Sequence, residues 1–171
     1  MLQQNDPRNQ NEITQSVIFW VVRRFHLISI SPSQLAEINL HGEHDYPYEC
    51  CGLLLGRFEA DGVKVVAETF PISNAREESA KRNRFLITPE ELMRGERHAR
   101  SKNLDVVGFY HSHPESPAVP SQYDLEHAWP TYSYIIVSVI DQKAGDLFSW
   151  EQREDRSNFD QEEFKIMSEM L

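Results

Sequence analysis

The sequence predicts a single-domain α/β fold, a sandwich with a mixed β-sheet between helices. Three observations carry that expectation. Gly52 to Phe58 is largely a continuous apolar run, the pattern of a strand buried on both faces. Ser31-Pro32 and Thr88-Pro89 each place a capping side chain before a proline at the first helical position. Strand-like and helix-like segments alternate along 171 residues, a length that suits one domain with a substantial core.

Residues 1–26 read as an N-terminal extension, whose first 14 residues are polar and have the composition of a disordered tail. Ile13–Ile30 is the only candidate for a targeting or membrane element. Its unbroken apolar core, Val17–Val22, is far short of the ~20 residues a span needs, and Arg23 and Arg24 interrupt it. It reads as a short strand or helix packed on the domain, not a signal peptide. Ser31 then opens a helix with Leu35, Ile38 and Leu40 at its apolar positions. After the strand Gly52–Phe58, Asp61-Gly62 is a hairpin signal and Val63–Ile72 the return strand. Residues 73–83 are charged and loop-like, and Arg84–Ile87 reads as a brief strand. The helix begun at Thr88 runs to about Lys102, with Leu92 and Met93 expected on its buried face.

Val106, Val107, Phe109 and Tyr110 are β-formers, so Asp105–His113 reads as a strand that Pro114 ends. A helix from Ser121 to Trp129 follows, then a β-rich run Tyr132–Ile140. Ala144-Gly145-Asp146 reads as a turn and Leu147–Trp150 as a final strand. The domain is placed at residues 27–152. Residues 153–171 read as a tail, in which Phe159, Phe164 and Met167 suit a short amphipathic helix or a frayed end.

One stretch carries chemistry: His111-Ser112-His113-Pro114, a proline-rich loop, then Ser121-Gln122-Tyr123-Asp124. Residues two apart on a strand face the same side, so His111 and His113 present two imidazoles to one point. Ser121 suits a helix cap, with Asp124 in the first turn. Two imidazoles and a carboxylate suit Zn²⁺ and leave a fourth position for water. Taken singly, His-x-His is an ordinary surface or packing pair and Ser-x-x-Asp an ordinary helix start. Their joint presence at this spacing is what singles them out.

These residues resemble the signature of the JAMM (MPN+) metallopeptidases. Glu49-Cys50-Cys51-Gly52-Leu53-Leu54 resembles the family's upstream glutamate pattern, and the likeness extends from about Leu27 to Trp150. It is nearest the compact prokaryotic branch, which lacks the long insertions of eukaryotic deubiquitinases. The resemblance implies a curved mixed sheet of the cytidine-deaminase-like type and one zinc ion per chain held by His111, His113 and Asp124. It implies Glu49 as the base that takes a proton from water and passes it to the leaving amine. It implies Ser121 as a donor to the oxygen that becomes anionic. The implied substrate is the bond next to the C-terminal tail of a ubiquitin-like or sulfur-carrier protein, peptide or isopeptide. A non-catalytic MPN-type scaffold is the first alternative, although scaffold members usually lose metal ligands. A zinc hydrolase of small amides is the second.

Composition narrows the partners. The net charge of −10 argues against nucleic acid and anionic membranes, which need basic surfaces, and leaves protein partners open. Adjacent cysteines, Cys50 and Cys51, are poorly placed to bridge, so a reducing cytoplasm is the default. Cys51 reads as a small buried residue rather than a nucleophile. His26, His41, His44 and His98 read as surface or supporting residues. His127, one turn past Asp124, is the histidine to check for a role at the site. The sequence leaves the oligomeric state open.

Overall fold

The computed structural model describes residues 27–167. The expectations for residues 1–26 lie outside the described residues. The elements in chain order are β1 (Leu27–Ile30), α1 (Pro32–Asp45), β2 (Cys51–Phe58), β3 (Lys64–Ile72), α2 (Pro89–Ser101), β4 (Asp105–Pro114), α3 (Gln122–His127), β5 (Ser133–Ile140), β6 (Lys143–Gln152) and β7 (Phe159–Ile166). No helix among them is long and apolar enough to cross a membrane.

The mixed α/β character is as expected, but the sheet does not remain open between helices. Its strands run in the order β1-β3-β2-β4-β5-β6-β7 and close into a barrel, because β7 pairs with β1. Pairs β1–β3, β1–β7 and β4–β5 are parallel and the rest antiparallel. The closing strand corrects the reading of residues 153–171 as a tail or short helix. Phe159 and Phe164 are five apart, an odd spacing that sends them to opposite faces of a strand. Phe159 packs with Tyr134, and Phe164 packs against the core beneath α1. The domain therefore extends beyond residue 152.

Three further expectations are corrected. Ala144-Gly145-Asp146 lies inside β6, and the hairpin turns instead at Asp141 and Gln142, both at positive φ, a two-residue turn matched to strand twist. Arg84–Ile87 forms no strand, because its backbone bonds go to Asn74 and Ala75 rather than to a ladder. Met93 is 54% exposed, and the buried residues of α2 are Gly95 and Ala99. Gly95 sets that closeness: a Cβ there would meet Leu53 Cδ1 at 2.2 Å.

The caps follow the sequence. Ser31 and Gln34 form a reciprocal capping box on α1, and Thr88 accepts from Glu91 N on α2. The two helices share out the core. Ile38 of α1 packs with Ile28, Leu54, Val66, Val107, Tyr110 and Val137, while Ala99 of α2 packs with Cys51, Leu53, Leu55 and Ile72. β2 and β5 flank β4 and are buried over nearly all their length, which places β4 at the centre of the sheet.

Candidate metal and catalytic site

β4 aims the histidines through an irregularity. Leu54 pairs with Gly108 but Leu55 pairs with Val106, which leaves Val107 unopposed. The alternation restarts after this bulge. Val107 and Tyr110 point into the core under α1, while Val106 and Phe109 pack on the α2 side. His111 and His113 follow Phe109 in phase, and the Phe85 ring lies 4.7 Å from that of His111. Ser112 turns the other way, where its hydroxyl accepts from Cys50 N at 2.8 Å.

The turn after β4 is fixed by Glu115, at φ 55°, whose amide donates to Val139 O at 2.9 Å. Ser138 Oγ donates to Ser116 O and Trp150 Nε1 to Ala118 O, which hold the proline-rich loop against the sheet. Ser121 then caps α3 in a capping box. Its hydroxyl accepts from Asp124 N at 3.2 Å and donates to Asp124 Oδ2 at 2.6 Å, and its own amide donates to the same oxygen. The helix ends at His127, short of Trp129, with Ala128 as its cap.

The structure brings His111, His113 and Asp124 together: one ligand atom from each lies within 4.8 Å of the others. His111 Nε2 and His113 Nε2 are 3.0 Å apart, and Asp124 Oδ1 and Oδ2 are 3.4 and 3.6 Å from them respectively. A tetrahedral Zn²⁺ with bonds of about 2.0–2.1 Å separates its ligand atoms by about 3.3 Å, so these three donors match the ion in kind and spacing. The tautomer that His113 is given by its partner agrees. His113 Nδ1 faces the Pro117 carbonyl at 2.9 Å, so its proton sits there and Nε2 offers a bare lone pair. His111 Nδ1 is buried without a partner among the described residues.

The electrostatics also favour a cation. Burial pushes His111 down to about 4, so this ring is neutral at pH 7 and able to ligate. Burial works against Asp124, yet His111, His113 and Ser121 together hold its carboxyl well below the usual range. Burial likewise opposes His113, but Asp124 and the Pro117 carbonyl outweigh it and raise the ring above its ordinary value.

Glu49 is 5% exposed and shares a cleft with His113 and Ser121. Burial raises its carboxyl to about 8, with His113 and Arg84 pulling it down and Asp124 pushing it up. Its side chain makes no hydrogen bond among the described residues, whereas its backbone is held on both sides. Its amide donates to Lys81 O at 2.8 Å, and its carbonyl accepts from Asn74 Nδ2 at 2.9 Å. Asn74 is the residue that sequence reasoning missed. It also donates to Arg84 O and accepts from Arg76 N and Leu86 N, using the whole capacity of its amide. A lone asparagine in a charged loop gives no signal of this. His127 stacks on Tyr123 at 3.9 Å, and both line an apolar groove beside Asp124. Both cysteines are buried thiols, Cys50 pushed up to about 12 by burial, so neither is a nucleophile.

Comparison with known proteins gives the same direction. A desampylase of Haloferax volcanii is 43% identical over 95 residues, 55% of this chain and 65% of that protein. A probable TtuB-protein conjugate cleaving protease of Thermus thermophilus is 29% identical over 102 residues, 60% of this chain and 64% of that protein. The matched region thus spans just under two thirds of each of these curated relatives. Among solved structures, a protein of Desulfitobacterium hafniense aligns with a TM-score of 0.72 at 30% identity, covering 84% of this chain and 94% of that one. A protein of Salinibacter ruber aligns with a TM-score of 0.65 at 38% identity, covering 82% and 92%. The profile of the prokaryotic homologs of the JAB domain matches residues 31–153, most of the described domain. The chain belongs to the prokaryotic homologs of the JAB domain.

Proposed function

We propose that the protein is a zinc-dependent peptidase or isopeptidase that hydrolyses the bond next to the C-terminal tail of a ubiquitin-like or sulfur-carrier protein. One observation carries the reading: ligand atoms of His111, His113 and Asp124 converge, while the buried carboxyl of Glu49 lines a cleft together with His113. The names of the relatives, desampylase and conjugate-cleaving protease, support the substrate class.

His111, His113 and Asp124 hold the ion. Bound there, Zn²⁺ supplies Lewis acidity toward the scissile carbonyl and toward water. Glu49 takes the proton of the attacking water and gives it to the departing amine. A single buried carboxyl beside His113 can act first as base and then as acid. Ser121 lines the cleft. Turning its O–H away from Asp124 Oδ2 would direct it at the developing oxyanion.

A tail added as a strand needs unpaired backbone beside the site. The extended segment Arg84–Ile87 takes that part: Leu86 N and O are used by Asn74 and Ala75, whereas the backbone groups of Phe85 and Ile87 have no partner among the described residues. An extended tail would pair there along the apolar groove, in the manner of β-augmentation.

The test is zinc stoichiometry followed by cleavage of a carrier–peptide fusion by wild type and by Glu49→Gln. One zinc per chain, cleavage by wild type and loss of cleavage in the variant are expected. Zinc without cleavage of any carrier fusion would transfer the reading to small amides. Equal cleavage by the variant would remove Glu49 from the mechanism.

A further inference from the structure

The candidate site sits between two unlike depressions. On one side is the apolar groove, lined by Phe85, Ile87, Phe109, Trp129 and Tyr134, with Asp124 in its wall. On the other is a less apolar cleft lined by Glu49, His113 and Ser121, with Arg82 and Arg84 among the residues around it. Glu49 lines only the second. The group that protonates the leaving amine must reach it, so the amine departs into the cleft that holds the arginines.

We propose that Arg82 and Arg84 form a carboxylate-binding subsite on the leaving-group side, so that the amine product of the reaction carries a carboxylate close to its new amino group. The proposal rests on Glu49 as the proton carrier. Neither guanidinium has a carboxylate at ion-pair distance among the described residues: Arg84 donates to Asn83 O at 2.5 Å and acts on the Glu49 carboxyl only from farther off, and the other neighbouring acids are engaged elsewhere. Glu78 pairs with Lys81 at 3.3 Å, and Glu115 accepts from Tyr46 Oη at 2.7 Å and from Asp141 N at 3.0 Å. Between Arg76 and Arg84 four basic residues stand against two acidic ones, in a chain whose net charge is −10. This local reversal of sign is complementary to an anion and opposes an isolated ammonium.

The subsite is built into the fold. Asn74 ties the backbone of Arg84 to that of Glu49 through bonds of 3.0 and 2.9 Å, and Glu49 N is bound to Lys81 O. Arg84 lies over the Tyr123 ring at 4.4 Å, which orients its planar fork. Arg82 is exposed at the same rim. Two sources supply this chemistry: the α-carboxylate of an amino acid or short peptide following the scissile bond, or an acidic side chain beside an isopeptide-linked lysine.

Three N-acetylated probe peptides test the proposal. One ends Gly-Gly-Ala as the free acid, the second is its C-terminal amide, and the third joins Gly-Gly to a lysine ε-amine flanked by aspartates in an amide-blocked peptide. Binding is measured by calorimetry on Glu49→Gln protein, both zinc-supplied and chelator-treated, so the readout does not depend on turnover. The free acid should bind about tenfold more tightly than the amide, the value of one charge-assisted contact. Adding Arg82→Gln or Arg84→Gln should remove that difference and leave the amide unchanged, while Arg84→Lys should retain part of it. Arginine-dependent binding of the third probe instead assigns the carboxylate to a side chain. Equal binding of acid and amide, with neither substitution altering it in folded protein, overturns the subsite. Selective binding of the acid without cleavage by wild type would leave the subsite standing and sink the peptidase reading. Cleavage of acid and amide alike, with equal binding, would do the reverse.

Discussion

Two groups of buried ionisable side chains lie in this domain, and they differ in one respect. In the first, Lys64 Nζ donates to Ser133 Oγ, Glu151 Oε2 and Glu162 Oε1 at 3.0, 2.6 and 2.8 Å, and Ser149 Oγ donates to Glu162 Oε2 at 2.7 Å. Every ammonium proton is used, and the group joins β3, β5, β6 and β7. In the second, His111 Nε2, His113 Nε2 and the Asp124 oxygens face one another around one point, and the Glu49 carboxyl has no hydrogen-bond partner among the described residues. A satisfied buried cluster holds strands together, whereas an unsatisfied one is completed by something from outside. The contrast separates structure from function where composition alone treats the two groups alike.

The sharpest way to break the contrast is Glu49→Gln. Turnover of a carrier–peptide fusion should fall by ~10²–10⁴, while zinc content and melting temperature stay near wild type. A large fall in melting temperature would mean that Glu49 belongs to the structural kind. Lys64→Met is the converse. It leaves two carboxylates buried without their cation and should cost about 3–5 kcal/mol in urea unfolding, with kcat little changed below the new melting point. Asn74→Asp lies between the two. The acid can still accept from Arg76 N and Leu86 N but cannot donate to the carbonyls of Glu49 and Arg84. A loss of about 1–3 kcal/mol with a fall in kcat larger than any rise in KM would identify it as a positioning residue.

The smallest effect is in pH dependence. With its carboxyl raised from 4.5 to about 8, metal-free folded protein keeps a Glu49 proton that the unfolded chain has lost. That contribution to stability is complete below 4.5 and declines as pH rises through 8. His111, lowered from 6.5 to about 4, has the opposite sign and loses its contribution as pH falls through that range. Between pH 7 and 8 the Glu49 effect stands clear of His111, while His113, raised above 6.5, acts with the same sign, so Glu49 is isolated by comparing wild type with Glu49→Gln. Chelated wild type should lose up to about 1 kcal/mol there, and Glu49→Gln should show a flatter slope. Equal slopes would mean that Glu49 titrates as a solvated acid.

Much of the frame is legible in the sequence because it is local. The caps at Ser31, Thr88 and Ser121 and the buried strands β2 and β5 announce themselves through residue type and run length. His111, His113 and Asp124 are legible because a strand and a cap fix their directions. The bulge at Val107 is not, since two consecutive valines look alike whichever way they face. Asn74 is hidden because its four partners come from residues far and near in the chain. The identity of β7 is hidden because its pairing depends on β1, more than a hundred residues earlier.

That last pairing has a consequence for synthesis. β1 gains the second of its two parallel partners, β7, only after residues 159–166 have been made. Until then two hydrogen-bonding borders, on β1 and β6, stay open to other nascent chains. A version cut after residue 152 leaves those borders unpaired and should sediment as aggregate more than one that includes β7 at matched expression.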